Sequence, residues 1–328
     1  MRFREISIVL VVLLMIGSVV VLADNPLKRL ESGDHELTFA LVTISSSVQF
    51  WVPVYQGFKD AAQMLGVKAE HVGPSSPDMV AESDTLETLL TSGIDGVAVF
   101  VAAPHSLDTV LDKYVAADIP FVMTTTGEET AEKYHTGLMG QDNPAAGVVW
   151  GNGTLKLLGS DPAGKKVCFL TENPGQSDLE ARIKAGREVL ESAGVHVDVV
   201  NTTTDRVTAY GAVESYYLAN PDLAGFCSVD TTGTPVAATF IKNNDLKGKV
   251  FCAGFDLTPE VIEALQNGTL AFTIDQHPYS EGFLSLIQLY LWKTLGLVSS
   301  SVNTGGHMVT AADVTRYNLG QLVKDGYR

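Results

Sequence analysis

LTFALVT at residues 37–43, VPVYQGFKDAAQML at 52–65 and VKAEHVG at 67–73 read as an apolar run, an amphipathic stretch and a second apolar run. Short apolar runs rich in β-branched residues are strands, and a stretch of roughly four helical turns between two of them is a crossover helix. A strand, a crossover helix and a second strand imply a parallel sheet.

The pattern continues outward from this unit. In the first half, strand candidates are Leu37–Thr43, Val67–Gly73, Gly96–Ala102, Pro120–Thr124 and His135–Gly140, with helices at Val52–Leu65, Met79–Ser92 and Ser106–Ala117. The second half repeats the scheme, with strands at Lys166–Thr171, Val195–Val200, Ala224–Val229, Lys249–Gly254 and Leu270–Asp275. Thr258 followed by Pro259 and Glu260 is a helix start: a capping hydroxyl, a proline at the first helical position and an acid near the positive helix end. Asn143-Pro144 reads as a similar start. Each half is therefore expected to be an α/β, doubly wound domain whose ligand edge lies beyond the C-terminal ends of the strands. No low-complexity linker parts the halves, which implies a close hinge.

The chain has 328 residues, enough for two such domains, and is 45% hydrophobic and 18% charged, as globular proteins are. Arg2 and Arg4 precede an apolar run from Ile6 to Leu22 that ends in Val21-Leu22-Ala23, the form of an export signal cleaved near Ala23 (residues 1–23). The competing reading, a membrane anchor, is at the lower limit of spanning length. The remainder carries 20 basic and 37 acidic residues, once Arg2, Arg4 and Glu5 are set aside from 22 and 38, a formal charge of −17. Such a surface repels nucleic acid and anionic membrane. Cys168, Cys227 and Cys252 each fall in a strand candidate, so buried thiols are expected; a Cys227–Cys252 disulfide is the alternative if those strands are neighbours.

Motifs for chemistry are missing. No Gly-x-Gly-x-x-Gly follows the first strand, and Gly159–Lys165 imitates a phosphate loop but places Lys166 where a magnesium-binding hydroxyl is needed and precedes a strand. The seven histidines and three cysteines show no metal spacing. There is no Gly-x-Ser-x-Gly elbow. No cofactor, no metal and no catalytic centre are expected.

What the strand ends do carry suits a sugar, which offers hydroxyls at its rim and C–H groups on its faces. Phe50 and Trp51 follow the first strand, Asp230, Asp256 and Gln276 follow later ones, and Arg182 opens a helix after Lys166–Thr171. Each has a plainer reading. Phe50 and Trp51 would staple a helix to the core, Asp230 would satisfy loop amides, Asp256 would cap a helix, and Arg182 would be a solvated helix residue.

Together the motifs resemble one family. Phe50-Trp51 with Gly57-Phe58 and Leu65-Gly66, Arg182 in Leu179-Glu-Ala-Arg-Ile-Lys-Ala-Gly186, Asp230 in Ser228-Val-Asp-Thr-Thr-Gly, Gly254-Phe-Asp-Leu-Thr-Pro-Glu260 and Thr273-Ile-Asp-Gln-His-Pro-Tyr-Ser-Glu-Gly282 are similar to the ribose-binding-like periplasmic sugar-binding proteins, over about residues 37–310. The resemblance implies the type I periplasmic-binding-protein architecture, two lobes joined by a three-segment hinge: 37–141 plus 277–302, and 142–276 plus 303–328. Crossings are expected near Gln141-Asp142, Gln276-His277 and Val302–Gly305. It implies stacking of Phe50 and Trp51 on a ring, hydroxyl contacts from Arg182, Asp230 and Asp256, Gln276 beside a hinge strand, and pairing of Arg182 with Asp256. The family's Asp-Arg pair is replaced by Thr124-Thr-Thr-Gly127, and its acid after the third strand by Val101-Ala-Ala-Pro-His105, which argues against ribose and leaves Thr125 and His105 as substitutes. The expectation is a monomeric, periplasmic, non-enzymatic capture protein for a small neutral sugar or polyol. It would close about its hinge and serve an ABC transporter permease. A ligand-presenting sensor component is the alternative, and a sugar-active enzyme using Asp230 and Asp256 the second alternative; Arg182 should lower the pKa of such a pair.

Overall fold

The computed structural model describes residues 36–328; the proposed export signal lies outside them. The first half runs β1 (Thr38–Val42), α1 (Trp51–Leu65), β2 (Lys68–Val72), α2 (Met79–Ser92), β3 (Gly96–Val99), α3 (Asp108–Ala116), β4 (Phe121–Thr124), α4 (Glu128–Tyr134) and β5 (Leu138–Gly140). The second runs α5 (Asn143–Leu158), β6 (Lys166–Thr171), α6 (Ser177–Glu191), β7 (His196–Asn201), α7 (Arg206–Ala219), β8 (Gly225–Ser228), α8 (Gly233–Asn243), β9 (Phe251–Phe255), α9 (Pro259–Asn267) and β10 (Phe272–Asp275). It ends with α10 (Pro278–Leu295), β11 (Val302–Asn303), β12 (His307–Val309), α11 (Ala311–Arg316) and α12 (Leu319–Lys324).

These strands form two sheets of six, in the orders β11-β5-β4-β3-β1-β2 and β12-β10-β9-β8-β6-β7. Nine of the ten pairings are parallel and only β12 runs antiparallel, to β10. Both sheets are doubly wound, and in each the order reverses between the first strand and the third, which opens a crevice at the strands' C-terminal ends. The chain passes from the first sheet to the second after β5, returns after β10 when α10 packs on α1 and on β3, β4 and β5, and passes again between β11 and β12. Three short segments therefore connect the two bodies.

Local chemistry explains the boundaries. Helix α1 stops at Gly66, whose φ of 75° is open to a residue without a Cβ. Thr258 caps α9 by accepting from Val261 N–H at 3.2 Å, with Pro259 at the first helical position, as the sequence indicates. The start of α5 differs from expectation. Asp142, not Asn143, is the cap, accepting from Ala145 N–H at 2.9 Å, and this releases the Asn143 side chain for the interior.

The sheet of the second half is clad on both faces. One layer joins Cys168, Phe226, Cys252 and Ile241, and the other joins Trp150, Phe169, Cys227 and Phe255. All three thiols are free and buried. Strands β8 and β9 are indeed neighbours, but the register sets Phe226 opposite Cys252 and Cys227 opposite Ala253. Adjacent residues of a strand face opposite sides, so Cys227 and Cys252 lie in different layers and form no disulfide.

Candidate functional site

Between the C-terminal ends of the two sheets lies a cleft lined from both sides, at the place where open α/β sheets bind small molecules. Its two walls differ in chemistry. From the first body come Ile44, Val48, Phe50, Trp51, Phe100 and Thr125; from the second come Glu172, Asp178, Arg182, Asp230, Asp256 and Gln276. One wall is aromatic and the other is a dense set of carboxyls around one guanidinium.

The aromatic wall is built at the start of α1. Trp51 meets Phe50 edge-on at 5.1 Å and Phe100 edge-on at 5.2 Å between ring centroids. Phe50 stands at the N-cap position yet makes no side-chain cap, so its place there serves the cavity and the ring cluster. Thr125 follows β4 with a left-handed φ of 66°, and Asp256 follows β9 with a φ of 69°. Left-handed backbone costs a residue with a Cβ about 1 kcal/mol, and both of these strained residues line the cavity.

Arg182 organises the polar wall. It is 1% exposed, and its guanidinium donates from Nε to Asn143 Oδ1 (2.9 Å), from Nη1 to the Val229 carbonyl (2.8 Å), and from Nη2 to Asp178 Oδ2 (3.2 Å) and Gln276 Oε1 (2.7 Å). A guanidinium has five N–H groups, so this fan leaves one on Nη1 for a further partner. The plane lies over the Phe255 ring, 4.7 Å from its centre. Arg182 is thus an interior residue, not a solvated one. Its carboxylate partner is Asp178, one turn earlier on α6, and not Asp256 as the resemblance implies. Asp256 is reached through Gln276, whose Nε2 donates to Asp256 Oδ1 at 2.5 Å, while Thr231 donates to Asp256 Oδ2 at 2.5 Å. A glutamine bridge keeps two like acids apart while both share the cation's field.

Asp230 is largely committed to the backbone. Its Oδ1 accepts from Thr232 N–H (3.1 Å) and Gly233 N–H (2.6 Å), and its Oδ2 from Glu172 N–H (2.7 Å). The expectation that Arg182 holds these acids low is overturned by burial. Desolvation pushes Asp230 up to about 6 against the pull of its amide donors, and raises Asp178 and Asp256 in spite of Arg182. Four carboxyls around one cation are too many to be stabilised equally.

Seven of the eight residues singled out from the sequence, namely Phe50, Trp51, Thr125, Arg182, Asp230, Asp256 and Gln276, line this one cavity. His105 does not. It sits on an exposed turn with a left-handed backbone (φ 63°), its Nδ1 in a 2.9 Å hydrogen bond with Asp108 Oδ2. Phe100, Asn143, Glu172 and Asp178 were not anticipated. Glu172 was within reach, because the rule that singles out residues just beyond strand ends applies to it as it does to Asp230.

The two bodies also touch directly over the cavity. Ser177 N–H donates to the Ala102 carbonyl at 2.8 Å, Ser177 and Thr126 hydroxyls meet at 3.1 Å, and Arg206 donates to Gln49 Oε1 at 3.1 Å. The crossing segments carry a buried acid of their own. Glu281, in the first turn of α10, accepts from Thr125 at 2.7 Å and from Thr304 at 3.4 Å. Burial pushes its pKa from 4.5 up to about 8, opposed by those hydroxyls and by Arg182. An acid raised in this way binds its proton more tightly folded than unfolded. Its contribution is neutral below 4.5, grows more unfavourable as pH rises to about 8, and is constant above that. The stability of Glu281→Gln relative to the wild type should therefore rise across this window by at most about 1.4 kcal/mol per pH unit. Urea unfolding at several pH values measures it, and parallel pH profiles would refute the assignment.

Comparison with known proteins follows the same lines. The family model for the periplasmic binding protein domain matches residues 39–291. The xylose/arabinose-binding protein of Sulfolobus acidocaldarius is 28% identical over 289 residues, covering 82% of this chain and 70% of that protein. The D-allose-binding periplasmic protein of Escherichia coli is 25% identical over 263 residues, covering 76% and 82%. Among solved structures, a solute-binding protein of Burkholderia graminis in complex with D-arabinose superposes with a TM-score of 0.81 at 23% identity, covering 87% of this chain and 99% of that one. A carbohydrate transporter protein of Acidothermus cellulolyticus in complex with myo-inositol gives 0.78 at 24% identity, covering 90% and 100%. These structural likenesses establish the fold.

Proposed function

Because the chain belongs to the periplasmic binding protein domain family, we propose that it captures a small neutral monosaccharide or polyol in this cavity and delivers it to the permease of an ABC transporter. The observation that carries the reading is the pairing of an aromatic wall with a polar wall of planar hydrogen-bonding groups across one small cavity. A sugar ring has an apolar face and a hydroxyl rim, and each wall suits one of them. The relatives named for xylose, arabinose and allose support the ligand class. The lobes are taken as 37–141 plus 277–302 and 142–276 plus 303–328, a division supported by the membership of β11 in the first sheet and β12 in the second.

Binding works by closure. Phe50, Trp51 and Thr125 stand on one lobe, and Arg182, Asp230 and Asp256 on the other, with Gln276 at a crossing. A ligand touching both walls favours the closed arrangement by the contacts that only closure supplies. The protein acts in the periplasm as a non-enzymatic monomer. Asp230, tied to three backbone N–H groups, serves as a loop anchor and not as a proton shuttle.

Titration calorimetry against neutral pentoses, hexoses and polyols should reveal a ligand with micromolar or tighter affinity and no turnover. Trp51→Ala should weaken it by about tenfold or more, the worth of a lost aromatic contact and its apolar burial. A broad neutral panel without a heat of binding would sink the proposal.

A further inference from the structure

Glu172 stands directly beyond β6, in the polar wall, and its place is fixed from behind by the hydrogen bond from its own N–H to Asp230 Oδ2. Its Oε2 is closed off from solvent and has no hydrogen-bond partner. No cation is to hand for it. Arg182 directs four of its five N–H groups to Asn143, the Val229 carbonyl, Asp178 and Gln276 and makes no bond to Glu172. The charged groups that face Glu172 are Asp230 from the loop after β8, Asp256 from the loop after β9 and Asp178 from α6, all of them acids. A desolvated carboxyl among three others, with the Thr232 hydroxyl on its other side and nothing on Oε2, is kept neutral by holding its proton, and a neutral carboxyl is a hydrogen-bond donor. Burial, and next the Asp230 charge, raise its pKa well above the ordinary value.

The wall around it is otherwise rich in acceptors, and each of its amide groups has given one of its two N–H bonds to a neighbour: Asn173 Nδ2 to Gln176 Oε1 (3.0 Å), Gln176 Nε2 to Asp178 Oδ1 (2.9 Å) and Gln276 Nε2 to Asp256 Oδ1 (2.5 Å), so that few donors are left, one of them the remaining Nη1 N–H of Arg182. Hydroxyls of a ligand can adapt to acceptors by donating. An oxygen that only accepts, such as a ring ether or a carbonyl, cannot.

We propose that Glu172 is a ligand-contacting, specificity-determining residue of this cavity, donating from its carboxyl to an oxygen of the bound molecule that can only accept a hydrogen bond. This rests on the reading of the cavity as a sugar site and adds to it a preference for cyclic sugars and ketoses over fully hydroxylated acyclic polyols. It also links binding to pH: affinity holds while Glu172 keeps its proton and falls about tenfold per pH unit once it ionises, because the donor is lost and a buried charge faces an acceptor.

The test compares the wild type, Glu172→Gln and Glu172→Leu by calorimetry against D-arabinose, D-xylose and D-allose with arabinitol as the acyclic partner, from pH 5 to 9. Infrared spectra of the free proteins at pH 7 are taken alongside. The wild type and E172Q, which keeps a donor of the same reach, should bind the cyclic sugar within about threefold of each other at pH 7, and E172L at least about tenfold more weakly, the range expected for a buried bond with one partner removed. E172Q should also lose the alkaline fall that the wild type shows. The wild-type spectrum should contain the C=O stretch of a protonated carboxyl that E172Q lacks. Equal binding by wild type and E172L overturns this inference alone, as does a selective loss in E172Q, which would make Glu172 an ionised acceptor, or the absence of the infrared difference. A wild type that binds none of the panel overturns the ligand class and the role of Glu172 within it.

Discussion

Arg182→Met abolishes ligand binding and lowers the unfolding free energy by about 3–5 kcal/mol, the cost of removing one member of a buried ion pair. Arg182 and Asp178 are 1% and 3% exposed, so the carboxylate left behind has no water to turn to. The loss spreads further than that pair. Asn143 Oδ1, the Val229 carbonyl and Gln276 Oε1 lose their donor together, and with Gln276 freed, the bridge to Asp256 loosens. The deficit should shrink as pH falls, because Asp178 escapes by taking a proton, and grow as pH rises. Arg182→Lys should recover part of the stability and little of the affinity, since an ammonium on a flexible stem cannot supply four directed bonds in a plane. Urea unfolding at pH 5 and pH 8, with calorimetry on the same proteins, measures both. Full binding by Arg182→Met would remove Arg182 from the site.

Gly282→Ala destabilises the first lobe by about 3 kcal/mol or more, at the upper end of what overpacking costs. A Cβ built on Gly282 would lie 1.8 Å from the Val54 carbonyl oxygen and 3.0 Å from Phe58 N, and one on Gly57 would lie 2.0 Å from the Tyr279 carbonyl oxygen. Helices α1 and α10 therefore cross backbone to backbone, and a single methyl must drive them apart. The consequence reaches the site, since α1 begins with Trp51 and α10 carries Glu281 at a crossing. Gly211→Ala is the matched control. It too lies inside a helix, α7, but its Cβ would meet nothing within 4 Å, so the greater helix propensity of alanine should leave the protein as stable or about 0.5–1 kcal/mol more so. Thermal and urea unfolding of the two variants give the comparison, and equal stability would contradict the close crossing.

The strands were legible because burial on both faces forces near-continuous apolar runs, as in Phe39–Val42 and Val167–Leu170. Strands β11 and β12 were not, since Val302–Asn303 and His307–Val309 are short edge strands whose pairing is decided by where the chain crosses and not by their own composition. The site was legible in outline for a related reason. In a doubly wound sheet, position just beyond a strand end places a residue at the crevice, and that rule reaches Trp51, Asp230 and Asp256 without knowledge of any contact. It does not say which acid meets which base. The expected pairing of Arg182 with Asp256 gave way to Asp178 and a Gln276 bridge, and Asn143 entered the network because Asp142 took over the cap. His105 failed because it sits on an exposed left-handed turn, bonded to Asp108 at the surface.

By itself, then, the sequence determined the α/β strand–helix alternation in two halves and the residue types at the crevice, because these follow from local periodicity and from the fixed geometry of parallel sheets. Only the tertiary structure decided the partners of Arg182, the separation of Cys227 from Cys252, the closing-off of Glu172 Oε2 and the burial of Glu281. Those depend on register, on which side chains share a desolvated space and on the summed field of charges distant in the chain, none of which is a property of any one segment.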